Sequence, residues 1–177
     1  MICLDIIDLG INVESYMQQE PQEVPKVALV FASGERQTEV AESELTLVTV
    51  EMRNSAGEKA NLRKLLESWR GRSYNPEQVE AGLPLHKLHG KFALVSIEHV
   101  LTRKNKKFAK IKSISPLPPQ IAPPDAKALL AEYERPKFFA DRKAQYADTL
   151  KKHRAAMGED SPEPTPPSDD DSDDLPF

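Results

Sequence analysis

From Arg103 to Lys112 six of ten side chains are cationic and none is acidic: Arg103, Lys104, Lys106, Lys107, Lys110 and Lys112. Ammonium and guanidinium groups at that density attract phosphate, in a contact that weakens with salt and is largely indifferent to base sequence. A second basic set lies upstream at Lys59, Arg63, Lys64, Arg70, Arg72, Lys87 and Lys91. A surface that follows a flexible polynucleotide also needs flat rings for bases to stack on. Phe108 shares strand parity with Lys110 and Lys112, so it lies beside them on the outer face if Ala109 and Ile111 face a core. Tyr74 follows Arg70-Gly71-Arg72-Ser73 and is the second candidate ring. Trp69 continues an apolar helical stripe and belongs to the core on this reading. The competing explanation of the charge is a solvated basic face with no ligand.

Catalytic and metal chemistry find little support. His86 and His89 are three apart, but no cysteine, aspartate or glutamate adjoins them to complete a zinc site. Asp5 and Asp8 fit a strand end better than a two-metal centre, which needs further carboxylates. No phosphate-binding glycine loop and no HExxH occurs. The expectation is a non-enzyme with no catalytic residue, no metal and no cofactor.

The elements that must hold these groups are legible as patterns. Leu4–Leu9, Val27–Ala32 and Glu44–Met52 read as strands, with Gln18–Pro25 a loop and Ser33-Gly34-Glu35 a hairpin turn. Leu62, Leu65, Leu66 and Trp69 recur at i, i+3, i+4 and i+7, an apolar helical stripe that Gly71 is placed to end. A short helix or turn follows Asn75-Pro76-Glu77. Phe92–Leu101 and Phe108–Leu117 form a strand pair joined by the cationic turn. Five strands with a helix between the third strand and this ribbon suit a small curled antiparallel barrel of the oligonucleotide-binding kind. Other small α+β folds share the pattern. Ala126–Tyr133 and Arg142–Met157 read as helices, the second so polar that it docks weakly or on demand.

At 177 residues the chain has room for one core and an appendage. Residues 1–119 are expected to form the binding domain, 120–157 a proline-rich exit and helical extension, and 158–177 a disordered acidic tail. The net charge of −4 conceals a division. Residues 158–177 hold eight acidic and no basic groups, which leaves 24 basic against 20 acidic in the remainder. No apolar run approaches the roughly 18 residues of a membrane span, and the acidic opening lacks the basic flank of a signal peptide. The single Cys3 rules out an internal disulfide, so a cytoplasmic setting is expected. No heptad pattern or long apolar edge argues for a large assembly; monomer or dimer is expected. At the far end Asp169, Asp170, Asp171, Asp173 and Asp174 lead into Leu175, Pro176 and Phe177. An acidic run steers, and a compact apolar end anchors in a pocket rimmed by Lys or Arg, which together would recruit a partner protein.

Two resemblances rest on these residues. The ending DDDSDDLPF resembles the partner-recruiting tip of bacterial and phage single-stranded DNA-binding proteins. EKANLRKLLESWRGRSY, LHKLHGKFALVSIEH and KKFAKIKSISPLPP are together similar to a phage-type family of such proteins, and the opening DIIDLG is similar to their first strand. The family resemblance covers about residues 4–119 and then the tail. It implies an oligonucleotide-binding barrel and sequence-independent binding of single-stranded DNA in phage replication, recombination or repair, within the host cytoplasm. Replication or recombination proteins would be recruited through the tail. It also raises Arg70, Arg72, Tyr74 and the ribbon lysines as DNA contacts. The competing expectation is a recombination or annealing accessory, or a protein adaptor, that meets DNA incidentally.

Overall fold

The structure is a computed structural model that describes residues 1–15, 20–36, 45–101, 105 and 107–158, with residues 35, 36, 107 and 108 described by backbone alone. Three antiparallel strands, β1 (Ile2–Glu14), β2 (Gln22–Arg36) and β3 (Leu45–Arg53), form a sheet in chain order. Helices α1 (Asn61–Arg70) and α2 (Pro76–Glu80) and a 3₁₀ turn (Leu85–Leu88) follow. The hairpin of β4 (Leu94–Leu101) and β5 (Lys107–Ser115) makes a second sheet, and α3 (Ala126–Glu132) and α4 (Phe138–Met157) close the described chain.

The run Val27–Ala32 is apolar at every position, and all six residues are at most 2% exposed. A strand that alternates covers one face; a strand apolar on both parities is covered twice. Val27, Leu29 and Phe31, with Cys3 of β1, pack against Leu62, Leu66 and Trp69 of α1 and Ile114 of β5. Ala28 and Val30, with Ile7 and Leu9, pack beneath Phe139 and Tyr146 of α4. Ile2, Leu4 and Ala32 meet Leu129 of α3. The three-stranded sheet is therefore the middle layer of three.

The expected five-stranded barrel does not form. The strands divide into sheets of three and two, neither closed nor curled. The outer edge of β1 meets the incoming chain through one bridge, Ile2 with Phe92, and a few backbone bonds such as Cys3 N–H to the Lys91 carbonyl at 2.9 Å. The chain then turns into β4, which pairs with β5. Side chains rather than ladder bonds bridge the two sheets. Trp69 packs on Phe31 with ring centroids 5.5 Å apart and planes tilted by 57°. Its Nε1–H donates to the Phe92 carbonyl at 2.8 Å.

Two local expectations also change. Ser33-Gly34-Glu35 is not a turn but lies within β2, where the register slips between Ala32 and Arg36 and Gly34 adopts φ +84°. That is a bulge, which bends a strand without reversing it. Gln22–Pro25, read as loop, belongs to β2. The β2–β3 ladder stops at Lys26–Arg53, so Pro25 lies opposite Ile11 of β1 beyond the reach of β3's register. A residue without an N–H is tolerated at such an edge.

Rings seat the helical extension, including the Arg142–Met157 segment expected to dock weakly or on demand, and polar contacts accompany them. Arg135 donates twice to Asp5, at 2.7 and 3.0 Å, and the Tyr133 hydroxyl donates to the same carboxylate at 3.1 Å. Burial and that neighbouring carboxylate raise the Tyr133 hydroxyl well above its ordinary range. Tyr146 donates to Glu51 of β3, and Arg154 grips Glu23 of β2 through two bonds of 2.8 and 2.7 Å. No helix among the described residues is long and apolar enough to cross a membrane.

Candidate nucleic-acid interface

α1 is set by its stripe. Leu62, Leu66 and Trp69 are buried and Leu65 is half-buried, all against the sheet. Gly71 ends the helix at φ +68°, and a Cβ there would lie 3.2 Å from Pro116, so glycine serves both conformation and space. The Ser68 hydroxyl donates to the Ile114 carbonyl at 2.5 Å. This bond brings the end of α1, with Arg70 and then Arg72, alongside β5.

Glu67 then fixes the loop. Its Oε1 accepts from the Tyr74 backbone N–H at 3.0 Å and from Arg63 Nε at 3.0 Å. Those two donors, the backbone one foremost, hold the Glu67 carboxyl below its ordinary range. Tyr74 is consequently drawn into the core at 8% exposure. The Arg70 guanidinium lies over its ring, 4.0 Å from the centroid. The Nη1 of Arg70 is buried and has no hydrogen-bond partner among the described residues.

Arg70, Arg72 and Tyr74 line a cleft of about 610 Å³ together with Lys87 and Lys91. Trp69 and Leu66 form part of its wall, as do Pro84, Leu88, Gln78, Ala81 and Gly82. Among the described residues no carboxylate lines it. A cleft of about 800 Å³ between β3 and the start of α1 is larger, but Glu14, Glu51 and Glu58 line it beside Lys26, Arg53 and Lys59. Lys26 and Arg53 there already pair with Glu14. Size favours the larger cleft and charge the smaller; for a polyanion charge decides.

The candidate contacts thus separate. Arg70, Arg72, Lys91 and Tyr74 come together, with Tyr74 more a buried support for Arg70 than an open platform. Lys59 stands at the carboxylate-lined cleft, and Arg63 is committed to Glu67. Lys110 and Lys112 are exposed on β5. Lys107 and Phe108 are on β5 by backbone, and their side chains lie outside the described set, so the stacking expected of Phe108 does too. Arg103, Lys104 and Lys106 lie outside the described residues, as do Asp169, Asp170, Asp171, Asp173, Asp174, Leu175, Pro176 and Phe177.

The parity argument for the ribbon needs correction. Ile111 packs on the core and Ile114 is buried, whereas Ala109 and Ser113 are exposed. The register passes from Ser96–Ser113 to Ile97–Ile111, so Lys112 is an extra residue in a bulge and alternation breaks there. Beyond it the ribbon leaves the core: Ala109, Glu98, His99 and Leu101 are all exposed.

Pro84, Leu88 and Gln78 were not singled out by sequence. The signal near them was the Asn75–Gln78 pairing, in which Asn75 caps α2 by accepting from Gln78 N–H at 2.8 Å while its own N–H is held by the Gln78 side chain. Cys3 is buried, and burial pushes its thiol up to about 12, far from a reactive thiolate. Among the described residues no three His, Cys, Asp or Glu side chains gather as metal ligands would. Neither the family models, nor the curated proteins, nor the solved structures include a match to this chain.

Proposed function

We propose that this protein binds single-stranded DNA without reading its sequence, in phage replication, recombination or repair within a bacterial cytoplasm, and that residues 169–177 recruit partner proteins. One observation carries the reading: four cations from the end of α1, the loop after it and the approach to β4 converge on a cleft that, among the described residues, no carboxylate lines. Lys110 and Lys112 extend positive charge along β5, the strand to which Ser68 fastens the end of α1. A strand with a flexible backbone bends to such a path, whereas a duplex presents phosphates at fixed spacing. The likeness of the Ser-Trp-Arg-Gly segment and of the acidic ending to phage-type single-stranded DNA-binding proteins points the same way.

Titration of the full chain with labelled poly-dT, duplex DNA and RNA at several salt concentrations tests it. Poly-dT should bind tightest, with little dependence on base and with log affinity falling linearly in log salt. Equal affinity for duplex, or protein capture through the tail with no affinity for any nucleic acid, overturns it.

A further inference from the structure

Resting on that single-strand reading, we infer that the cleft beside α1 is a subsite for one nucleotide unit, with the phosphate on the Arg70 guanidinium at the cleft wall and the base against Pro84 and Leu88. The guanidinium is the first reason. Arg70 is half-buried at the cleft wall, and its buried Nη1 has no hydrogen-bond partner among the described residues. A phosphate oxygen is the acceptor that best suits a charged planar fork presented at a cleft wall.

The second reason is that the fork is held in place. Tyr74 lies under the guanidinium at 4.0 Å, and the Tyr74 backbone is tied to Glu67. Little rotamer freedom therefore remains to be lost when a ligand arrives. The third is the lining. Pro84 and Leu88 are half-buried, while Arg72, Lys87 and Lys91 are exposed around them. An apolar wall with a cationic rim and, among the described residues, no carboxylate matches a ligand that is flat at one end and anionic at the other. About 610 Å³ lies within the range of pockets that take a single small ligand and is far too small for a folded segment. Bare phosphate would leave the apolar wall unused, and a bare base would leave the Arg70 guanidinium without an anion in the cleft.

Trp69 is the only tryptophan and lines this cleft, so its emission reports on occupancy. The full chain is titrated with thymidine 5′-monophosphate, thymidine and inorganic phosphate, followed by Trp69 emission and in parallel by equilibrium dialysis. The nucleotide should saturate at one equivalent, with thymidine and phosphate each at least about tenfold weaker. Arg70→Gln should weaken the nucleotide by about tenfold or more, the scale of a lost charged hydrogen bond. Lys87→Gln, on the exposed rim and outside the core, should weaken it by a few fold and serves if Arg70→Gln does not fold.

Phosphate binding as tight as the nucleotide marks an adventitious anion site and overturns the subsite. So does nucleotide binding unchanged by Arg70→Gln, or by Lys87→Gln where Arg70→Gln does not fold. Absence of nucleotide binding while poly-dT still binds overturns the subsite and leaves the strand reading intact. Saturable, phosphate-dependent nucleotide binding without poly-dT binding does the reverse.

Discussion

Glu67 joins three features with one carboxylate: the α1 surface through Arg63, the loop through the Tyr74 N–H, and the charge of the Arg70 guanidinium that lies on Tyr74. Its carboxyl titrates below the ordinary range because the folded state stabilises the anion. The sign follows from linkage: the stabilisation is complete above the unfolded value and is lost as pH falls through the lowered folded one. Glu67→Gln keeps an acceptor for Tyr74 but loses the charge. Urea midpoints of parent and variant should therefore differ at neutral pH and converge as the solution is acidified through the carboxylate range. A gap that stays constant with pH would assign the effect to shape rather than charge. Cys3 supplies a contrast at the same scale. Its thiol is shifted strongly, but by burial, so the shift reports packing and no chemistry.

Among the elements, α1 was the most legible and α4 the least. The i, i+3, i+4, i+7 stripe and Gly71 fixed the course and the end of α1 because local periodicity alone decides them. α4 touches the sheet chiefly through Phe139 and Tyr146, two rings seven residues apart on an otherwise polar helix. Its ion pair and hydroxyl bond reach Glu23 and Glu51, which no window along the chain can associate with it. The hint lay elsewhere, in the double-sided apolar run Val27–Ala32, which requires a cover on each face. Phe139→Ala should cost about 3–5 kcal/mol in a denaturant melt, the range for an aromatic truncated in a core. Arg154→Gln, at an exposed pair, should change little. The barrel misled for a related reason: strand patterns show which residues face inward, not which edges pair. Within the ribbon, the bulge at Lys112 ended the alternation on which the placing of Phe108 and Ala109 had depended. Lys110 and Lys112 remain exposed, and if each meets a phosphate, Lys110→Gln and Lys112→Gln should each lower the slope of log affinity against log salt by about 0.7. Unchanged slopes in both would remove β5 from the path of the strand.

Over the whole molecule, charge is divided more sharply than its sum implies. The net −4 is the resultant of −8 over residues 158–177 and +4 over the rest, the latter being 24 basic minus 20 acidic groups. A polyanion approaching the cleft meets the field of the body and the opposing field of the tail, which carries the ligand's own sign. Deleting residues 159–177 leaves every described contact of the core in place, since α4 ends at Met157 and is capped by Gly158. The shortened chain should therefore melt with the parent yet bind poly-dT more tightly at low ionic strength. The gain should shrink as salt shortens the screening length from about 10 Å at 0.1 M to about 3 Å at 1 M. Affinity measured for both chains across that series decides the matter. A gain that persists unchanged at high salt would mean that the tail acts by occupying the site through apolar contacts, and no gain at any salt would mean that its charge never competes for the cleft.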